Sequence, residues 1–355
     1  MIRFKPDATN DYPYHSLLKL NEILTLYHGK DYKCLKEGNI PVLGSGGIIA
    51  YANEALCNWP CVLIGRKGTI DRPQYMDTPF WCIDTLYYTK AKPNNSPLWQ
   101  FYLFQTINWN KYNTSSSIPG LNIKTIENLK VNVPCYKEQQ EIADFLSTVD
   151  NIIESSIDEE KQLKLLRKHT ISKIFNQEVR FKKDNGHDYP DWKNIAINDI
   201  LSLYHGKDYK HLKSGTVPVL GTRGVITQVN EALCNWPCTL LVRKGTVAKP
   251  QYMDTPFWCV DTLFYSKPKT NNSAKWQYYL FQAINLQKYY ASSSVPGINT
   301  HILENIKVCV PCYDEQLKIA DFLSQIDDAI EYTKQEISLW QQLKTGLLQQ
   351  LFSNK

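Results

Sequence analysis

Apolar residues recur at alternating steps of three and four along two long stretches of the chain. In the later one, Leu323, Ile326, Ile330, Thr333, Ile337 and Trp340 keep that spacing, which is the seam of a coiled coil. The earlier one keeps the register with Leu146, Val149, Ile153, Ser156, Glu160 and Leu163. Both continue at matching positions: Leu166, Thr170 and Ile174, against Leu343, Leu347 and Leu351. The spacing predicts one helix over 138–175 and a second closing the chain. At about 1.5 Å per residue, each would reach roughly 55–60 Å. Ser156, Glu160 and Thr170 are poor seam residues, so the first helix needs a better partner, and the second is the obvious one. The pattern also allows two separate amphipathic helices, each lying on its own domain.

Shorter patterns precede each helix. Residues 1–22 are polar, with Pro6 and Pro13, and read as a lead-in. Strands are expected at 23–27, 40–43, Cys61–Gly65, 80–88 and 126–134, and an aromatic amphipathic helix at 98–108. The same pattern returns 177 residues later, without a gap, from Asp11 and Asp188 to Phe175 and Phe352. Between Ile23 and Tyr136, 76 of 114 positions are identical to their partners, which makes the chain one duplicated unit and not a many-repeat solenoid. The expected organisation is an α+β domain at 1–136, a helical region at 137–177, the same domain at 178–313 and the same helical region at 314–355. Two such copies pack most simply with the helices as an antiparallel coiled coil and the domains related by a pseudo-twofold, so that one chain imitates a symmetric dimer. A dimer-like reader suits an inverted repeat on DNA.

Charge divides along the same boundaries. Residues 1–136 hold 14 Lys and Arg against 10 Asp and Glu, and residues 178–313 hold 16 against 10. The helical regions carry net charges of −2 and −3. Basic domains point to a polyanion, and acidic helices to a protein-facing or solvated role. No run of 18 apolar residues is present, so no membrane span is expected, and the first residues lack an apolar signal core. The ten cysteines then read as reduced thiols of a cytoplasmic protein.

Candidate chemistry lies in the turns. RKGT follows an apolar strand in both copies: Arg66, Lys67 and Thr69, then Arg243, Lys244 and Thr246, with Arg72 and Lys249 close behind. Glycine lets the backbone approach, and the cations and hydroxyl suit phosphate or a guanine edge. GSGG (44–47) and GTRG (221–224) lack the following GK[ST] of a phosphate-binding loop and read as flexible loops approaching DNA. Beside the shared Gly47, the copies differ there: Ser45, Gly46 and Tyr51 against Thr222, Arg223 and Gln228. If loops read bases, these positions would distinguish two half-sites. YHGKDYK places Lys30, Tyr32 and Lys33, and Lys207, Tyr209 and Lys210, in a basic and aromatic run suited to a phosphate backbone. The SSS-x-PG loops add Ser116, Ser117, Ser293 and Ser294 as hydroxyl donors. Cys57, Cys61 and Cys82 and their equivalents do not match a zinc-finger spacing and read as core thiols, with no metal expected. No methyltransferase, protease or esterase motif, and no convincing nuclease carboxylate cluster, is present, so no catalytic residue is expected.

Taken together, these residues resemble the specificity (S) subunit of type I restriction–modification systems. The resemblance spans nearly the whole chain. It rests on PVLGSGG (41–47) and PVLGTRG (218–224), LIGRKGT (63–69) and LVRKGT (241–246), and above all the junctions VPCYKEQQEIADFL (133–146) and VPCYDEQLKIADFL (310–323). Cys135 and Cys312 stand where the family usually has a second proline, and Val242 replaces the glycine seen at Gly65. The resemblance implies a subunit that makes no bond itself. It implies that each domain binds one half of a bipartite site in double-stranded DNA, while the helices set the spacer and dock two modification subunits. Those subunits would use S-adenosylmethionine to methylate adenine N6. Two restriction subunits, using ATP and Mg, can join in such systems. The competing class is a protein-binding scaffold whose duplicated basic domains meet an acidic partner.

Overall fold

A computed structural model of the chain describes residues 12–115, 117–244, 250–290 and 297–352. The chain folds into two compact units, Met1–Ile157 with Gln335–Lys355, and Asp158–Lys334.

In the first unit the elements run β1 (Ser16–Lys19), α1 (Leu20–Ile23), β2 (Leu24–His28), β3 (Ile40–Gly44), β4 (Gly47–Ala52), β5 (Cys61–Gly65), β6 (Gln74–Met76), β7 (Trp81–Cys82), β8 (Leu86–Ala91), α2 (Pro97–Thr106), α3 (Ile123–Glu127) and β9 (Lys130–Val133). The long helix α4 (Tyr136–Phe175) follows. The second copy repeats the order as β10 (Lys193–Ala196), α5 (Ile197–Ile200), β11 (Leu201–His205), β12 (Ser214–Gly221), β13 (Gly224–Val229), β14 (Cys238–Val242), β15 (Gln251–Met253), β16 (Trp258–Cys259), β17 (Leu263–Pro268), α6 (Ala274–Ala283), α7 (Thr300–Glu304), β18 (Lys307–Val310) and α8 (Tyr313–Leu351). Each domain is α+β. It holds an antiparallel four-stranded sheet (β2-β8-β5-β6, and β11-β17-β14-β15), a three-stranded sheet (β4-β3-β7, and β13-β12-β16) and a two-stranded pair (β1-β9, and β10-β18).

Several sequence expectations need correction. The lead-in is structured from Ser16, because β1 pairs in register with β9 (Leu18 opposite Val131) and buries Leu20 and Ile23 behind it. The strand expected at 80–88 is two strands in different sheets. Trp81 and Cys82 lie parallel to Val42 and Leu43, and the chain turns at Ile83–Thr85 to enter the four-stranded sheet at Leu86. The strand expected from Ile126 starts at Lys130, since Asn122 caps a short helix over Ile123–Glu127 by accepting a hydrogen bond from the Lys124 amide. GSGG is not a loose loop. It is the tight turn of the β3–β4 hairpin, with Gly44 opposite Gly47 and Gly47 at φ +119°.

Aromatic α2 forms the centre of the first core. Ser96 caps it, accepting from the Trp99 amide, Pro97 opens it, and Trp99, Tyr102 and Phe104 are buried among Val62, Ile64 and Trp109. The junction motif has a clear structural basis. Gln139 is buried at the start of α4, accepts from the Ser96 amide at 2.9 Å and donates to the Pro134 carbonyl at 2.9 Å. Gln316 repeats this with Ser273 (2.9 Å) and Pro311 (3.1 Å). One side chain thereby fixes the helix, the incoming strand and the α2 cap to each other.

In each unit the long helices lie antiparallel. In the first, Leu146 shares a core with Leu347 and Leu351 while Asp150 pairs with Lys344. In the second, Ile171 and Ile174 share a core with Ile319 and Leu323 while Arg167 pairs with Asp327. Val149, Ile153 and Ile330 are buried, and Leu163, Ile326, Ile337 and Trp340 are half-buried. At one step the seam departs from the expected register, which resumes at Ile174 and Leu351, both buried. Leu166 is 53% exposed and Leu343 48% exposed. The seam position passes to the next residue, Arg167 or Lys344, because each finds a carboxylate there.

Candidate nucleic-acid interface

The β3–β4 hairpin, the RKGT turn and the SSS-x-PG loop meet at one place in the first domain. The turn after β5 requires glycine: a Cβ on Gly65 would lie 1.9 Å from the Thr69 carbonyl oxygen. Gly68 follows with φ +89°, and a Cβ there would come within 2.8 Å of Ser45 Oγ, at the hairpin tip. The Gly68 amide donates to the Pro119 carbonyl at 2.8 Å, and the Leu121 amide donates to the Arg66 carbonyl at 3.0 Å. These backbone bonds lace the basic turn to the serine loop. In the second domain Lys244 bridges to Gly297 in the same way, and the Ile298 amide donates to the Arg243 carbonyl at 3.0 Å.

The cations divide into two kinds. Arg66 donates through Nη1 to the Asp84 carbonyl at 2.7 Å, with the Asp84 carboxylate 3.4 Å away. Arg243 repeats this on the Asp261 carbonyl at 2.8 Å. These guanidiniums therefore brace their turns, with part of each group still exposed. Lys67 and Lys244 are exposed beside them. Lys30 and Lys33 are also exposed, and Tyr32 is half-buried. Their loop is anchored by the Lys30 amide on the Cys82 carbonyl (2.8 Å) and the Trp81 indole on the Lys30 carbonyl (2.8 Å). Lys207 repeats both bonds with Cys259 and Trp258 at 2.8 Å. Lys210 is exposed and Tyr209 packs on the core around Val219.

Of the other expected residues, Gly46, Arg72, Ser117 and Arg223 are exposed, and Ser45, Thr69 and Thr222 are half-buried. Tyr51 and Gln228 are exposed but sit away from the hairpin tips, opposite Pro41 and Pro218. Ser116, Thr246, Lys249, Ser293 and Ser294 lie outside the described residues. Sequence reasoning missed the aliphatic residues after the turn glycine. Ile48 and Ile49 are 56% and 49% exposed, and Val225 and Ile226 are 63% and 50% exposed. Two consecutive aliphatics in a strand with an adjacent glycine were the available signal.

The cysteines belong to the core. Cys57, Cys61 and Cys82 are buried with Leu43, Leu63 and Phe80. The contact with Cys57 (3.9 Å between the sulfurs), then burial, pushes the Cys61 thiol up, and burial pushes Cys82 up to about 12. Among the described residues no three His, Cys, Asp or Glu side chains stand together as metal ligands, and no helix is long and apolar enough to cross a membrane.

The family model for the type I restriction modification DNA specificity domain matches residues 17–165 and again 189–339. The chain belongs to that family. It is a specificity subunit with two recognition domains, one per matched segment. The type I restriction enzyme MjaVIII specificity subunit of Methanocaldococcus jannaschii is 22% identical over 87% of this chain and 80% of its own length. A putative MjaX specificity subunit of the same organism is 23% identical over 79% of this chain and 74% of its own. The crystal structure of a type I restriction–modification S subunit from M. genitalium superposes on the whole chain, covering all of both, with a TM-score of 0.70 at 16% identity. That likeness supports the specificity-subunit fold.

Proposed function

We propose that each recognition domain binds one half of a bipartite site in double-stranded DNA. The observation that carries this reading is the meeting of the hairpin, the basic turn and the serine loop around Gly68, with exposed Lys67 beside them. Hydroxyls and cations gathered at one place suit a phosphate backbone, and a hairpin suits a groove. The helices set the spacer and dock two modification subunits, which bring S-adenosylmethionine and methylate adenine N6. Two restriction subunits, with ATP and Mg, can complete a nuclease. This chain contributes specificity and no catalytic group. The complex works in the cytoplasm of a prokaryotic cell.

The two domains are more alike than two unrelated half-sites require, with 76 of 114 positions identical. The half-sites are therefore similar and inverted, giving a near-palindrome interrupted by a spacer. Arg223, at the second hairpin tip where the first has Gly46, is the chief candidate for a difference between them. Arg223→Gly should weaken or change one half only, by about 1–3 kcal/mol for a lost base contact.

The test is co-expression with the modification subunit and mapping of methylated adenines across a host genome. One interrupted, nearly self-complementary motif is expected. Two dissimilar halves would retain half-site reading and remove the palindrome. An assembled complex that adds no methylation would favour a protein-binding scaffold.

A further inference from the structure

A β-bulge shapes both hairpins. In the first, Val42 lies opposite Ala50 and Leu43 opposite Ile48, so Ile49 is the extra residue. In the second, Val219 lies opposite Thr227 and Leu220 opposite Val225, so Ile226 is the extra residue. A regular strand would send alternate side chains to opposite faces, and one of each pair would be covered by the domain. The bulge breaks that alternation and leaves two consecutive aliphatic side chains exposed in each copy. Ile49 and Ile226 fold back over their own turns: a Cβ on Gly44 would touch Ile49 at 3.4 Å, and one on Gly221 would clash with Ile226 at 2.8 Å. Ile48 and Val225 are the more exposed of each pair.

Adjacent exposed aliphatics at the same hairpin in both copies form a small apolar surface that a partner can cover. The surroundings say what kind. The first tip abuts the turn that carries Lys67, the second carries Arg223, and the domains have an excess of positive charge. The partner is therefore a polyanion with an apolar feature on its surface. Duplex DNA has one in its major groove, the C5-methyl group of thymine, and that groove admits a two-stranded ribbon. We propose that Ile48 and Val225 each read a thymine methyl, so that both half-sites contain an A·T pair at the equivalent position. This rests on the half-site reading above and adds the chemistry of one position in it. The tips then account for likeness and difference together: the aliphatic pair is shared, and Gly46 against Arg223 is not.

The test uses the full chain assembled with its modification subunit and a duplex carrying the mapped site. Each thymine is replaced in turn by deoxyuridine, which keeps every hydrogen bond and removes only the methyl group. One position per half should weaken binding by about fourfold, the worth of one buried methyl. Ile48→Ser should abolish the effect in the first half alone, and Val225→Ser in the second half alone. A complex that binds its site specifically but tolerates deoxyuridine everywhere would overturn the inference and leave half-site recognition intact. So would variants that lose the modification subunit while keeping the deoxyuridine effect unchanged, since the hairpin would then face protein. Failure of the unmodified complex to select any site would instead remove the underlying reading.

Discussion

Asp150 on α4 and Lys344 on α8 form an ion pair at 2.6 Å, and their equivalents Asp327 and Arg167 form the same pair with the roles of the helices exchanged. Each carboxylate also accepts a hydrogen bond from its own domain, Tyr102 to Asp150 at 2.9 Å and Tyr279 to Asp327 at 2.8 Å. Each cation lies over the same tyrosine ring, Lys344 at 5.5 Å and Arg167 at 5.8 Å. One carboxylate thus joins a recognition domain to both long helices. Arg167 adds a bond to Gln282 at 2.8 Å, and although burial opposes its charge, the Asp327 contact raises its pKa overall.

Breaking this junction should destabilise its unit more than a surface pair would. The groups are half-buried, so the expected cost of Asp150→Ala lies between the ~1 kcal/mol of an exposed pair and the ~3–5 kcal/mol of breaking a buried one. Denaturant unfolding of the whole chain measures it. The double exchange Asp150→Lys with Lys344→Asp should recover part of the loss, although Tyr102 then loses its acceptor.

The junction glutamines make a second prediction. Gln139→Ala leaves the buried Ser96 amide without its acceptor and should cost about 1–3 kcal/mol. Gln139→Glu should also destabilise, because the Pro134 carbonyl loses its donor. The same changes at Gln316 should give matching losses in the second unit, read by unfolding.

Alkaline pH should weaken both units. Burial, then the Asp150 hydrogen bond, raises the Tyr102 pKa far above its ordinary value of 10, and Tyr279 is raised by burial and Asp327. A raised folded-state pKa means the folded protein holds its proton longer than the unfolded chain. The resulting stability is fully present below pH ~10 and is lost as pH rises beyond it. Thermal midpoints between pH 8 and 12 should begin to fall near 9, where unfolded cysteines ionise while buried Cys82 does not, and fall further above about 10, and Tyr102→Phe should make that later fall shallower.

Binding to DNA should be steeply salt-dependent. Lys67→Ala should reduce the slope of log affinity against log salt by about one and weaken all sequences alike, the behaviour of a phosphate contact. Gly65→Val should act differently, since its side chain meets the Thr69 carbonyl and displaces the turn. It should impair recognition of the first half-site selectively, leaving the second, whose turn already follows Val242.

Much of the architecture is legible in the sequence because it has a period. Spacing of three and four located α4 and α8, and the offset of 177 located the second domain. The seam was misread at Leu166 and Leu343 because an ion pair, which has no hydrophobic signature, took the seam position. β4 was missed because its residues alternate poorly around the bulge at Ile49, and β7 because a single apolar run, 80–88, serves two sheets. The basic turns were visible as candidates. Their bracing was not, because Arg66 meets Asp84 only through the sheet, 18 residues away in the chain.

The most direct measurement exchanges the hairpins. Ser45→Thr, Gly46→Arg, Ile48→Val, Ala50→Thr and Tyr51→Gln give the first hairpin the tip of the second and its outer strand as far as Gln228. The methylated motif is then mapped in cells carrying the modification subunit. The expected motif has its first half shifted toward the second, its second half unchanged and the same spacer. An unchanged motif, or equal change in both halves, would contradict half-site reading by these hairpins.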